Sequence, residues 1–133
     1  MTGQENILLV QTLLCDDVRR EITGKDIIIG TYGDLILLET FPANLQFCLW
    51  NRVRYFGKVD SIVINLQVVG PSGTISFPPF PFSIAAHREG ELGNIVISPI
   101  RVPVEYPGDL AFQWQLPGRD WETLASLTVS EAI

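Results

Sequence analysis

Apolar residues in this chain fall into short segments, and within the segments they alternate with polar ones. In residues 61–69, Ile62, Ile64, Leu66 and Val68 share one side, with Asn65 and Gln67 opposite. In residues 110–116, Leu110, Phe112, Trp114 and Leu116 face Gln113 and Gln115 in the same way. In residues 45–55, Phe47, Leu49, Val53 and Tyr55 lie on one face, and Cys48, Trp50, Arg52 and Arg54 on the other. A period of two means a strand with one buried face, as in antiparallel sheets that keep one side wet.

The pattern predicts strands over residues 6–14, 26–32, 35–40, 45–55, 61–69, 74–77, 82–86, 94–98, 100–105, 110–116 and 122–129. Glycine and proline clusters cut the chain between them, notably Tyr32-Gly33-Asp34, Gly70-Pro71-Ser72-Gly73, Pro107-Gly108-Asp109 and Pro117-Gly118-Arg119. No long helical period occurs. One helical turn is expected over residues 16–23, capped by Asp16 or Asp17 and ended by Gly24. The expected fold is all-β, an antiparallel β-sandwich of seven to ten strands, immunoglobulin-like or a near variant. All 133 residues are read as one domain.

Composition narrows the function classes. Apolar residues make up 47% and charged residues 18%. With a mean hydropathy of +0.25, this leaves uncharged surface for a protein–protein interface. The formal net charge of −6 disfavours phosphate backbones and anionic membrane surfaces. No apolar run is long enough for a membrane span, and the first six residues carry no positive charge of the kind a signal peptide needs. Leu14 before Cys15 is too large for a lipoprotein cleavage site. The expected compartment is the cytoplasm.

Catalytic chemistry finds little support. His87 is the one histidine, and no nucleophile elbow or Gly-rich phosphate loop is present. Cys15 and Cys48 with one histidine make an incomplete zinc set. The two cysteines read as buried thiols, and a chain of this size does not depend on a disulfide. Asp16, Asp17, Glu21 and Asp34 are oxygen donors that suit calcium. Arg19 and Arg20 stand among them, which favours ion pairing within the segment. No cofactor is expected.

Two segments stand out as partner-binding candidates. Residues 15–21 place Asp16, Asp17, Arg19, Arg20 and Glu21 between two apolar runs, as a polarised loop that would set specificity by charge. Residues 77–82 carry Phe77, Phe80 and Phe82 between Pro78, Pro79 and Pro81. Three prolines exclude this stretch from a sheet interior, and its phenylalanines either plug the sandwich or supply apolar contact. A third cluster, Trp50, Arg52 and Arg54 with Lys58 beyond, reads as an exposed face with the indole shielded by arginine stems.

The chain resembles a family of small bacterial proteins. The resemblance rests on Cys15-Asp16-Asp17-Val18-Arg19-Arg20-Glu21 with Gly24-Lys25 and Ile29-Gly30-Thr31-Tyr32, on Phe41-Pro42-Ala43-Asn44-Leu45, and on Tyr106-Pro107-Gly108-Asp109-Leu110-Ala111-Phe112. The last is a turn-then-strand signature of immunoglobulin-like sandwiches. The resemblance implies a compact β-sandwich and transfers no activity or functional residue. The cysteines lack the spacing of an immunoglobulin inter-sheet bridge.

The function expected is a non-enzymatic interaction or assembly module that binds a protein partner or a second copy of itself, without nucleic acid or membrane. The alternative is a small-ligand binder, of carbohydrate type, stacking on Trp50, Trp114 or Trp121. An enzyme with His87 as base ranks third.

Overall fold

The computed structural model describes residues 7–57, 61–84 and 88–132. Ten strands are present and, among the described residues, no helix. They are β1 (Ile7–Arg20), β2 (Asp26–Thr31), β3 (Leu35–Leu38), β4 (Ala43–Tyr55), β5 (Ser61–Gly70), β6 (Gly73–Ser76), β7 (Phe80–Ser83), β8 (Glu91–Val104), β9 (Gly108–Gln115) and β10 (Glu122–Glu131). They form a β-sandwich. One sheet, A, has the order β2-β1-β4-β8. The other, B, has the order β3-β10-β9-β5-β6, and β7 also pairs with β5. All pairs are antiparallel except β3 with β10.

The core lies between the sheets. Sheet A contributes Phe47, Leu49, Val53, Ile95, Ile97, Ile100 and Val102, and sheet B contributes Ile64, Leu66, Val68, Leu110, Phe112, Trp114 and Val129. Of these, Phe47, Leu49, Val53, Ile64, Leu66, Val68, Leu110, Phe112 and Trp114 are the ones that the period-two pattern places on inward faces. Phe47 bridges the layers, packing edge-on against Phe112 with ring centroids 5.0 Å apart. Asn51 shares the inward face of β4 and is fully buried. It stays satisfied by accepting from Thr12 Oγ1 at 2.7 Å and donating to the Ile95 carbonyl at 3.0 Å.

Bulges explain where the alternation slips. Val10 is an extra residue of β1 between Leu9 and Gln11, so Thr12 and Leu14 regain the inward face. Ser98 and Pro99 together oppose Cys48, so Ile95 and Ile97 before them and Ile100 and Val102 after them all point inward. The break at Ser98-Pro99 predicts two strands, over 94–98 and 100–105. The ladder instead carries one long strand across the bulge. Pro99 and Pro103 are tolerated because β8 is an edge strand, whose outer side needs no donors.

Residues 77–82 follow the edge of β5. Phe77 N donates to the Leu66 carbonyl at 3.1 Å, and β7 then pairs with Ser61–Ile64 of β5. Pro81 opposite Val63 is compatible with this position because no strand lies beyond it among the described residues. Phe77, Phe80 and Phe82 are half-buried and pack on the core. They plug the side of the sandwich.

Candidate functional site: an arm across sheet A

The segment 15–21 is neither a loop nor a helical turn. Residues 15–20 are the second half of β1, and Glu21 opens the turn that follows. Cys15 pairs with Cys48 of β4 and with Thr31 of β2, and from there to Arg20 the strand pairs only with β2. The run Ile27-Ile28-Ile29 supplies a strong strand partner, and charged side chains are tolerated on a two-stranded ribbon that is wet on one side. Glu21 to Lys25 closes the turn. Glu21 N donates to the Lys25 carbonyl at 2.8 Å, and Gly24, at φ +91°, donates to the Glu21 carbonyl at 2.9 Å. The Gly24 expectation holds in its backbone sign, but the residue ends a hairpin and not a helix.

This ribbon does not continue the plane of sheet A. Trp50 lies opposite Leu13 in the register, and Asp26 lies opposite Arg20. In a flat sheet those positions would be about 23 Å apart along the strand, at roughly 3.3 Å per residue. Yet Asp26 Oδ2 accepts from Trp50 Nε1 at 3.0 Å and from Asn94 Nδ2 at 2.8 Å. Trp50 and Asn94 project from the outer face of β4 and β8. The ribbon therefore turns back and lies as an arm across the outside of sheet A.

Asp26 anchors the arm. Its side chain is only 4% exposed, and Oδ1 accepts from Arg20 Nε at 3.1 Å. Burial alone pushes the carboxyl pKa up, but the hydrogen bonds from Trp50, Arg20 and Asn94 outweigh it and hold the group below the usual carboxylate range. At the other end, the Tyr32 hydroxyl donates to Asp16 Oδ1, and the Tyr32 ring packs on Phe47 at 5.2 Å. Burial first, then the Asp16 carboxylate, raises the Tyr32 pKa to about 12. The Asp16 carboxylate occupies the space that a Cβ at Gly30 would need, and Gly30 sits at φ +67°.

The arm has two faces. Pairing places Arg20 with Asp26 and Val18 with Ile28 on the side that meets sheet A, and Val18 and Ile28 are half-buried. Asp17 with Ile29 and Arg19 with Ile27 form the side turned to solvent. Ile27 and Ile29 are 45% and 41% exposed, and Ile22 at the tip is fully exposed. Asp17 Oδ2 and Arg19 Nε form a surface ion pair at 3.1 Å. Glu21 pairs with Lys25 at 3.1 Å. The free edge of β2 has no strand beside it among the described residues.

The five charged candidates thus divide. Asp17 and Arg19 face solvent, Arg20 holds the anchor, Asp16 binds Tyr32, and Glu21 braces the turn. The acids do not converge, and no group of three or more metal-ligating side chains forms among the described residues. Sequence reading missed Asp26, Asn94, Ile22, Ile27 and Ile29. A hairpin signal for Asp26, Ile22, Ile27 and Ile29 was present: an isoleucine run that begins seven residues after Arg20, with Gly24 between.

The other candidates fall elsewhere. The Arg52 guanidinium carbon lies 5.1 Å from the centre of the Trp50 ring, and Trp50 is nearly buried. Trp114 is a core residue whose Nε1 donates to Glu122 at 3.0 Å. Neither presents a ring face for stacking, whereas Trp121 is 39% exposed. Phe77 and Phe80 line an apolar depression of about 280 Å³ with Leu66, Ile97 and Pro99. Lys58 and His87 lie outside the described residues. Cys15 and Cys48 sit in the same sheet, unbonded, so an inter-sheet bridge of immunoglobulin type is ruled out. No helix among the described residues is long and apolar enough to cross a membrane.

No protein-family model matches the chain, and no curated protein matches it.

Proposed function

We propose that this chain is a non-enzymatic protein-interaction module whose contact surface is the outward face of the β1–β2 arm. The observation that carries this reading is the combination of a firmly anchored arm with Ile22, Ile27 and Ile29 turned to solvent. Holding exposed isoleucines on an ordered ribbon costs solubility, and a contact surface is the ordinary reason to keep them. The free edge of β2 offers main-chain groups to the same partner. Asp17 and Arg19 would set register by charge. The partner is a protein or a second copy of this chain, and the cytoplasm remains the proposed compartment.

The test compares the wild-type chain with an Ile27→Thr/Ile29→Thr variant, which keeps β-branching on the arm. Light scattering across a concentration series reads self-association, and affinity capture from the native host reads a separate partner. Loss of the complex at unchanged melting temperature supports the reading. Equal association by both proteins refutes it.

A second reading has one observation in its favour. The outer face of sheet B holds an open depression of about 760 Å³ lined by Asp34, Asp109, Thr123, Ser126, Thr128 and Pro71. Carboxylates and hydroxyls of this kind suit a polyhydroxylated ligand of carbohydrate type. Titration with a sugar panel, followed by amide chemical shifts, tests it; unmoved shifts at Asp109 and Thr128 would count against it.

A further inference from the structure

Beneath the root of the arm, Cys15 of β1 and Cys48 of β4 are direct cross-strand partners. Leu14, Phe47 and Leu49 take the inward face, so both thiols project from the outer face of sheet A. Opposed residues of an antiparallel pair have Cα atoms about 4.5–5.5 Å apart, inside the roughly 4.4–6.8 Å span that a disulfide bridges. Cys15 Sγ already lies 3.5 Å from the Cys48 carbonyl oxygen. Neither side chain has any exposed surface, and no bond joins them. Cys15 is also the residue at which β1 leaves β4 to enter the arm.

We propose that Cys15 and Cys48 are an oxidisable dithiol, roofed by the arm, that closes to a cross-strand disulfide with a small-molecule disulfide such as oxidised glutathione when the arm lifts. One thiolate attacks the glutathione disulfide, forming a mixed disulfide and releasing one glutathione thiolate. The second thiolate attacks the protein sulfur of that mixed disulfide and releases the other glutathione. Two protein thiols lose two protons and two electrons, and one glutathione disulfide becomes two thiols. The product staples β1 to β4 at the foot of the arm.

The roof makes this reaction conditional. With the arm down, burial keeps both thiols protonated, pushing Cys15 up to about 12 and Cys48 above its ordinary value. A protonated, enclosed thiol is a poor nucleophile. Local opening of the arm restores solvent and thiolate together, so the rate follows the open population. That population is set by the Asp26 anchor.

The test incubates the native chain with oxidised glutathione at pH 8, quenches with acid, alkylates under denaturing conditions and maps peptides without reduction. The expected result is a linked Cys15–Cys48 peptide with the monomer mass lower by two hydrogens. Asp26→Asn should form it about tenfold faster or more, because the anchor is weakened. Arg20→Gln, which leaves the Trp50 and Asn94 bonds in place, should give a smaller acceleration. Both cysteines recovered as free thiols, or only glutathione adducts, would overturn the proposal. So would equal rates in wild type and both variants.

Discussion

Asp26 accepts a hydrogen bond from Trp50 Nε1 at 3.0 Å, although the two lie 24 positions apart on strands that share no ladder. That contact folds a charged ribbon back over an otherwise ordinary sheet. It turns the segment around residues 15–21 from a peripheral hairpin into an anchored arm.

Removing the anchor should cost stability. Asp26→Ala leaves the Trp50, Asn94 and Arg20 donors without their shared acceptor. We expect a loss of about 2–4 kcal/mol, the range for breaking a buried charged hydrogen-bond set. At about 3 °C per kcal/mol for a chain of this length, calorimetry should show roughly 6–12 °C. A melting temperature within about 1 °C of wild type would mean that the anchor contributes nothing.

The same group gives a pH dependence of known sign. Its folded pKa lies below the ordinary value of 3.8, so its contribution is complete above that value and is lost as pH falls through the folded pKa. Between pH 7 and pH 5 the difference in stability between wild type and Asp26→Asn should be constant. Below about pH 4 it should shrink, because protonation brings the wild type towards the variant. Denaturant midpoints measured across that range decide it, and a difference that widens on acidification would contradict the assignment.

Arg19 and Arg20 are neighbours in sequence and opposites in role. Arg19→Glu disturbs an exposed pair, which carries about 0–1 kcal/mol, so the melting temperature should hold while binding through the arm weakens. Arg20→Glu places a carboxylate beside Asp26 and should lower the melting temperature. The same response from both variants, in melting and in capture, would erase the distinction between the two faces.

Gly30 tests the root of the arm. An alanine there meets both the left-handed backbone and the Asp16 carboxylate, so Asp16 must leave Tyr32. The expected cost is about 1–3 kcal/mol. Tyr32 should then titrate at a lower pH, moving back from about 12 by ultraviolet absorbance, since its carboxylate partner has moved. An unshifted tyrosine would place the raised pKa on burial alone.

Much of this sandwich was legible in the chain. Ile62, Ile64, Leu66 and Val68, and Leu110, Phe112 and Trp114, point inward as their alternation requires. Asn51 was hidden because a polar side chain on an apolar face is silent until its partners, Thr12 and the Ile95 carbonyl, are known. Pro99 was misleading because a bulge lets a strand continue through it. The arm was the hardest case. Charges at Asp16, Asp17, Arg19 and Arg20 look like a loop, and only the Ile27–Ile29 partner makes them a strand. That the ribbon then doubles back depends on Trp50 and Asn94, which no local pattern connects to Asp26.

The most direct test of the arm as a contact surface is site-specific photo-crosslinking. A photoreactive side chain is placed at Ile27, on the outward face of the arm, or at Val63, which is as exposed on the outer side of sheet B. Irradiation in the native host should yield a discrete adduct, to a partner or to a second copy, from position 27 and none from position 63. Adducts from position 63 alone, or no adduct at position 27 in a folded chain, would contradict the account.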